Sequence, residues 1–161
     1  PPAGSQLFLV GHAKGVQIYT CNGNGDWGKS VPRADLFDDS GKLIVHHSQG
    51  PTWTAVPDGS AVHLTQGQSP TAVVVPAPGE KPSSAGNTAD NPAPQRDIPW
   101  LLVPVSAAST TPGVLTGTTS IQRVNTQGGI HPPNPECNAQ TNQKAVEVPY
   151  KADYYFWKAP A

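Results

Sequence analysis

The sequence is poor in charged residues, and the few it has nearly cancel. Asp, Glu, Lys and Arg make up 13% of the 161 residues and leave a formal net charge of −1, against roughly 25% charged residues in ordinary globular domains. A chain without a basic excess has no field to hold a nucleic-acid backbone or an anionic membrane surface. It also lacks any apolar run near the roughly 18 residues that a membrane-spanning helix needs. We therefore expect neither a nucleic-acid partner nor a membrane span.

A helical hydrophobic pattern is missing as well. No segment keeps an apolar period of 3.6 over three turns, whereas short β-rich runs bounded by turn residues recur along the chain. This pattern predicts one all-β domain over residues 1–161, an antiparallel β-sandwich or barrel of about eight to ten short strands. The predicted strands are Gln6–Val10, Val16–Cys21, Leu43–His47, Ala61–Thr65, Thr71–Val75, Trp100–Val105, Thr118–Val124, Ala145–Tyr150 and Asp153–Trp157.

Proline and glycine, by contrast, are abundant, at 19 and 16 residues. Both residues break helices and mark turns. Five of the prolines and two of the glycines fall in Pro76–Asp97, which contains no apolar residue larger than alanine. Such a segment cannot bury enough apolar surface to offset the entropy of ordering it. We expect it to form a long exposed loop within the domain.

Only two cysteines, Cys21 and Cys137, are present, and methionine is absent. Two cysteines in a chain with so few charges suit an oxidising compartment, where they would form one long-range disulfide. The alternative is a pair of buried free thiols. The chain begins with Pro1 and Pro2, as expected for a mature protein after removal of a signal peptide. We therefore expect a secreted, extracellular protein.

A cofactor site finds little support. Gly23–Gly28 has the spacing of a dinucleotide-binding loop and follows a predicted strand. That reading requires a helix directly after the glycines, to hold the pyrophosphate at its N-terminus. Pro32 and the lack of helical periodicity argue instead for a flexible turn between strands. No cofactor is expected.

Five histidines, His12, His46, His47, His63 and His131, raise the question of a metal or a general base. No His-x-His or Cys-x-x-Cys spacing is present, so no metal site is assigned, and satisfied or exposed histidines are the default. His47 and Asp58 would form an acid–base pair if the loop after Trp53 folds back. The alternative for Asp58 is a Pro-Asp-Gly turn, where the carboxylate binds its own backbone.

The tryptophans offer a different chemistry. Trp27, Trp53 and Trp157 are candidates for platforms on which sugar rings stack, because an indole presents a broad apolar face. The alternative is that each tryptophan fills the core. Trp27 lies among glycine and asparagine residues, and we therefore expect it to be the most exposed of the three.

Several segments, in the same order along nearly the whole chain, resemble the DUF3455 family of bacterial and secreted fungal proteins. They are Gly15–Cys21, Trp27, Ala34–Leu36, Asp39–Gly41, His47–Trp53, Asp58–Ser60, Ile98–Leu102, Ser120–Thr126, Gly128–Gly129, Cys137 and Tyr150–Phe156. The positions marked by this resemblance are His47, Trp53, Asp58, Gln122, Arg123 and Thr126. Neighbours on a strand point to opposite faces, so at most one of Gln122 and Arg123 faces a given cleft. Fungal members are sometimes labelled malate-dehydrogenase-like, a label at odds with a sequence that has no dinucleotide-binding unit.

Two functional hypotheses follow. The first is a non-catalytic extracellular or cell-wall module that binds a glycan or another surface component, with Trp27, Trp53 and Thr126 as ligand-binding candidates. The second is a small secreted hydrolase that uses His47 with Asp58, assisted by Gln122 or Arg123. A weaker third is a metal site built from two or more of the five histidines.

Overall fold

The computed structural model describes residues 1–72 and 97–161, and its ordered elements are almost all strands. They pair antiparallel throughout, which confirms the all-β prediction. The strands are β1 Gln6–Thr20, β2 Val31–Phe37, β3 Leu43–Ser48, β4 Thr52–Ala55, β5 Ala61–Leu64, β6 Thr71–Ala72, β7 Leu101–Ala107, β8 Thr118–Gly128 and β9 Ala145–Lys158, with a short 3-10 turn at Asn134–Glu136. Within these described residues no helix is long and apolar enough to cross a membrane.

The strands close into an eight-stranded barrel that follows the order of the chain. Each of β1 to β4 pairs with the next strand, β7 pairs with β8 and β8 with β9, and β9 returns to pair with β1. The remaining seam is closed by β5 against β7, from Val62 opposite Ala107 to Leu64 opposite Val105. The short β6 continues that edge of β7, beyond the end of β5.

β1 is a single strand where the sequence predicts two. The predicted break falls at Gly11 and Gly15, which interrupt the run of β-forming residues. In the structure both glycines lie within the barrel wall and face β2. A Cβ atom on Gly15 would overlap the carbonyl oxygen of Arg33 and lie 2.6 Å from the Cβ of Ala34. These glycines therefore allow a close approach of two strands and do not mark a turn.

Replacing Gly15 with alanine should lower the free energy of unfolding by about 1–3 kcal/mol, the usual cost of overpacking. The obstacle is backbone, which cannot rotate away as a side chain would. Gly117→Ala is the matched control, because among the described residues no atom beyond its chain neighbours lies within 4 Å of a Cβ at that site, and its backbone is not left-handed. Urea unfolding of both variants measures the difference. Equal stability of the two would show that the β1–β2 contact tolerates a methyl group.

Two strands, β2 and β4, are absent from the prediction. β2 contains Pro32 and two charged residues, Arg33 and Asp35, which conceal its apolar residues in the sequence. In the structure the charged side chains face outward, while Ala34 and Leu36 are buried inside the barrel. β4 has only four residues, too few for a period to show. The predicted exposed loop Pro76–Asp97 lies outside the described residues except for Asp97, as does the end of the predicted strand Thr71–Val75.

One end of the barrel is filled with apolar side chains. Its core includes Leu36, Val45, Val62, Ile121 and Phe156, none of them exposed. Leu115, from the loop between β7 and β8, is also fully buried within this cluster. An eight-stranded barrel is just wide enough either to be filled in this way or to hold one small ligand. We refer to this filled end as the closed end.

The two cysteines form the predicted disulfide. Cys21 and Cys137 are bonded, with 5.4 Å between their Cα atoms and 116 positions between them in the sequence. Cys21 follows the end of β1, and Cys137 follows the 3-10 turn before β9. The bridge packs with Tyr19 and Trp27 in a small cluster separate from the main core.

Candidate functional site

The opposite end of the barrel holds a cavity of about 570 Å³. It lies where β1 ends, β7 begins and the turn between β3 and β4 folds over. Pro51, which follows a cis peptide bond at Gly50, lines it. We refer to this end as the mouth. Its apolar wall consists of Trp53, Tyr154, Leu64, Ile98, Leu101 and Val103.

Three rings from three strands pack together in the wall of the cavity. His47 on β3 lies opposite Trp53 on β4 in the ladder, and their rings stack with centroids 4.4 Å apart and planes 14° apart. Tyr154 on β9 completes the group, with its centroid 5.1 Å from that of His47 and 6.0 Å from that of Trp53. The closed barrel brings Tyr154 on β9 next to His47 and Trp53, which lie more than a hundred residues earlier in the sequence.

His47 is a neutral ring at ordinary pH. Burial lowers the pKa of His47 to about 3, and the positive charge of Arg123 acts in the same direction. Its Nδ1 lies 3.0 Å from the carbonyl oxygen of Thr52. A carbonyl oxygen only accepts hydrogen bonds, so Nδ1 carries the proton and Nε2 keeps its lone pair.

Arg123 brings a positive charge into the mouth. Its Nη2 and Nε donate to the carbonyl oxygen of Pro99, at 2.8 and 3.1 Å. Burial raises the pKa of Tyr19, Tyr150 and Tyr154, and the charge of Arg123 opposes that rise in each case. The guanidinium therefore lies among phenol groups that stay protonated at neutral pH.

Asp58 lies at the closed end, away from His47. Its Oδ1 accepts from the Ser60 backbone N–H at 2.9 Å and hydroxyl at 2.7 Å, and its Oδ2 accepts from Val114 N–H at 2.8 Å. These bonds hold the pKa of Asp58 below its usual range. The carboxylate thus fastens the β4–β5 turn to the loop that carries Leu115. The proposed acid–base pair of His47 and Asp58 is not brought together.

The other polar candidates take structural contacts. Gln122 points to the opposite face of β8 from Arg123, and its Oε1 accepts from the indole N–H of Trp157 at 2.8 Å. Thr126 is buried and donates its hydroxyl hydrogen to the carbonyl oxygen of Ile98 at 2.6 Å. Neither side chain lines the cavity.

The expectation of an exposed Trp27 is wrong. Trp27 is 4% exposed, and all four tryptophans of the chain are buried. Its polar neighbours in the sequence suggested a surface position, but its ring packs on the disulfide and its indole N–H donates to the carbonyl oxygen of Pro133 at 3.4 Å. Trp157 is held on the outer face of the barrel with Trp100 and Val124. Of the candidate platforms, only Trp53 lines the cavity.

The five histidines are dispersed, and each has its own partner. His12 lies between Asp39 and Asp153, and His46 contacts Asp35. The Nδ1 atoms of His47, His63 and His131 bond to different backbone carbonyl oxygens. In the part of the chain that the structure describes, no three His, Cys, Asp or Glu residues lie together as metal ligands would.

Sequence reasoning missed three side chains of the mouth, Gln17, Tyr19 and Tyr154. Gln17 is 2% exposed and lines the cavity with Tyr19. The alternation of Val16 and Ile18 with Gln17 and Tyr19 was visible in the sequence. It indicated two faces, but not that the face with the more polar residues turns inward. Predicting this orientation requires knowing that the strands close into a barrel and that its mouth is polar.

Comparisons with known proteins agree with the resemblance seen in the sequence. No curated protein and no solved structure matched the chain. A family model described as a protein of unknown function (DUF3455) matches residues 2–158. The chain therefore belongs to the DUF3455 family.

Proposed function

We propose that this chain is a non-catalytic binding protein that holds one small organic ligand in the cavity at the mouth of its barrel. The observation that carries this proposal is the uneven filling of the barrel, with a packed closed end and a cavity of about 570 Å³ at the other. That volume lies within the range of roughly 300–1,000 Å³ found for small-molecule sites. Its mixture of an apolar wall with a few polar groups is also typical of such sites.

The chemistry of the polar groups supports binding over catalysis. A general base works best when its pKa lies near the operating pH. The pKa of His47, lowered to about 3, is far from that range. Asp58, its proposed partner for hydrolysis, is held by Ser60 and Val114 at the closed end.

The buried tryptophans favour a small ligand over an extended glycan or cell-wall polysaccharide. A polysaccharide chain needs aromatic faces open to solvent, and the indoles of this protein are enclosed. An extracellular location remains part of the proposal. It is supported by the disulfide, which suits an oxidising compartment.

The neutral dye N-phenyl-1-naphthylamine, whose fluorescence rises in apolar surroundings, tests the proposal. We expect one dye molecule to bind per chain. Val103→Phe, which adds a ring at the cavity wall, should weaken binding by about tenfold or more. Leu102→Phe is the matched control, since Leu102 lies opposite Gln122 and Val103 opposite Ile121 on the two faces of the β7–β8 ladder.

The control variant should bind the dye within about twofold of the wild type, because its new ring points away from the cavity. Near-ultraviolet circular dichroism confirms that both variants remain folded. Absence of binding by the folded wild-type protein, or equal binding by the two variants, would contradict the proposed site.

A further inference from the structure

We propose further that the ligand of this cavity is a small organic acid. Its anionic group would contact Arg123, and its apolar body would lie against the apolar wall of the cavity. This inference rests on the proposed binding function and names the class of ligand. It is carried by the charges that line the mouth, by the donors of Arg123 that residues 1–72 and 97–161 leave unused, and by the shape of the apolar wall.

The charge of the mouth has one sign. The charged side chains among its described lining residues are Arg123 and Lys29, and no Asp or Glu is among them. Elsewhere on the barrel, Arg33 pairs with Glu147 at 2.8 Å. Within residues 1–72 and 97–161, Arg123 forms no such ion pair. A partly buried cation without a counter-charge is costly, and an anionic ligand would supply the missing charge.

The guanidinium is held in place, and its contacts with the described residues leave some of its N–H donors unused. Two of its five N–H donors go to the carbonyl oxygen of Pro99, and the hydroxyl of Tyr154 is a further hydrogen-bond neighbour. The remaining donors suit a carboxylate, whose two oxygens accept from adjacent N–H groups. Because Pro99 already holds the side chain, little rotamer entropy is lost when an anion binds.

The groups around Arg123 carry no competing charge. Tyr19, Tyr150, Tyr154 and His47 surround it from β1, β9 and β3, and burial keeps each of them in its neutral form at neutral pH. An acid bound there would meet the positive charge of Arg123 among several neutral polar groups, with Lys29 as a second positive charge in the lining of the mouth. The field in the mouth therefore favours a negatively charged ligand.

The rest of the cavity suits an apolar body. Trp53 and Tyr154 supply aromatic surface, and Leu64, Leu101 and Val103 supply aliphatic surface. The neutral ring of His47 stacks on Trp53 and adds one acceptor atom to that wall. A ligand that satisfies both regions is amphipathic, with an acidic group at one end and a ring or short chain at the other.

Two ligands of matched shape test the inference. 2-Naphthoate carries a carboxylate where 2-acetylnaphthalene carries a neutral ketone, and calorimetry or displacement of N-phenyl-1-naphthylamine measures both affinities. We expect the acid to bind at least about tenfold more tightly than the ketone, as a charge-assisted hydrogen bond implies. Decanoate and decanol repeat the comparison with an aliphatic body, so that aromatic and fatty acids are distinguished.

Arg123→Gln should abolish the preference for the acid, so that the variant binds 2-naphthoate and 2-acetylnaphthalene with affinities within about twofold of each other, because the charged contact is lost. Lys42→Gln is the matched control, since it removes the same charge from the exposed β2–β3 turn at the closed end and should keep the preference. Arg123→Lys retains the charge without the planar fork and should show an intermediate preference.

The two proposals fail in different ways. Equal affinity of the wild-type protein for acid and neutral partner in both pairs would overturn the organic-acid inference and leave the binding function intact. A wild-type protein that binds neither these ligands nor the neutral dye would overturn the binding function itself. The comparison within the wild type needs no variant, so a folding defect in Arg123→Gln does not affect it.

Discussion

Replacing Cys21 and Cys137 together with alanine should lower the free energy of unfolding by about 4–5 kcal/mol, the largest effect that we expect of any change in this chain. The two residues are 116 positions apart, and the cross-link removes the many conformations that so long a loop gives to the unfolded state. Because typical domains are stable by about 5–15 kcal/mol, this loss is a large share of the total.

Urea unfolding of the wild type, the two single alanine variants and the double variant separates the cross-link from side-chain packing. If the cross-link dominates, each single variant loses nearly the full amount and the double variant little more. If packing on Tyr19 and Trp27 dominates, the two single costs add. A double variant within about 1 kcal/mol of the wild type would refute the expected role of the bridge.

Acid should destabilise the protein through His47. In the unfolded chain this ring takes up a proton below its ordinary pKa of 6.5, whereas in the folded barrel the pKa is lowered to about 3. Between these values the unfolded state binds more protons. The contribution of His47 to the free energy of unfolding is therefore fully present above pH 6.5 and is lost as the pH falls toward 3. The expected slope is about 1.4 kcal/mol per pH unit.

Other groups titrate over the same range, so the measurement is a difference between proteins. Stability against urea is measured from pH 7 to pH 4 for the wild type, His47→Gln and His46→Gln. Glutamine at position 47 keeps an N–H donor for Thr52 but cannot gain a charge, and its profile should be flatter. His46 lies on the outer face beside Asp35 at 2.7 Å, and its replacement should keep the wild-type loss. Parallel profiles for wild type and His47→Gln would show that folding does not lower the pKa of His47.

Local patterns predicted most of the strands, because apolar and polar residues alternate in a strand that has one buried face. The patterns failed where a residue is explained by its contact with another strand. Gly15 reads as a break within β1, and only the backbone of Arg33 and Ala34 on β2 shows why a glycine is required there. β2 was missed because its outward-facing Arg33 and Asp35 hide the buried Leu36.

The site was predictable only in part, for a similar reason. His47, Trp53 and Arg123 were marked by the family resemblance, and strand alternation already separated Arg123 from Gln122. Tyr154 lies in a segment that carries the resemblance but was not singled out as a site residue, because its place beside His47 depends on the closure of the barrel through β9 and β1. Asp58 takes the alternative stated from the sequence, a Pro-Asp-Gly turn residue whose carboxylate accepts from the backbone N–H and hydroxyl of Ser60.

Leu115 and the apolar core fill the closed end, so the barrel is open at the mouth and blocked at the other end. Leu115 is fastened through Ser60, whose hydroxyl accepts from its backbone N–H at 3.1 Å. A ligand of the proposed site would therefore enter and leave by the same opening. The architecture suits capture and release of one molecule at a time, with the length of its stay set by how firmly the mouth holds it.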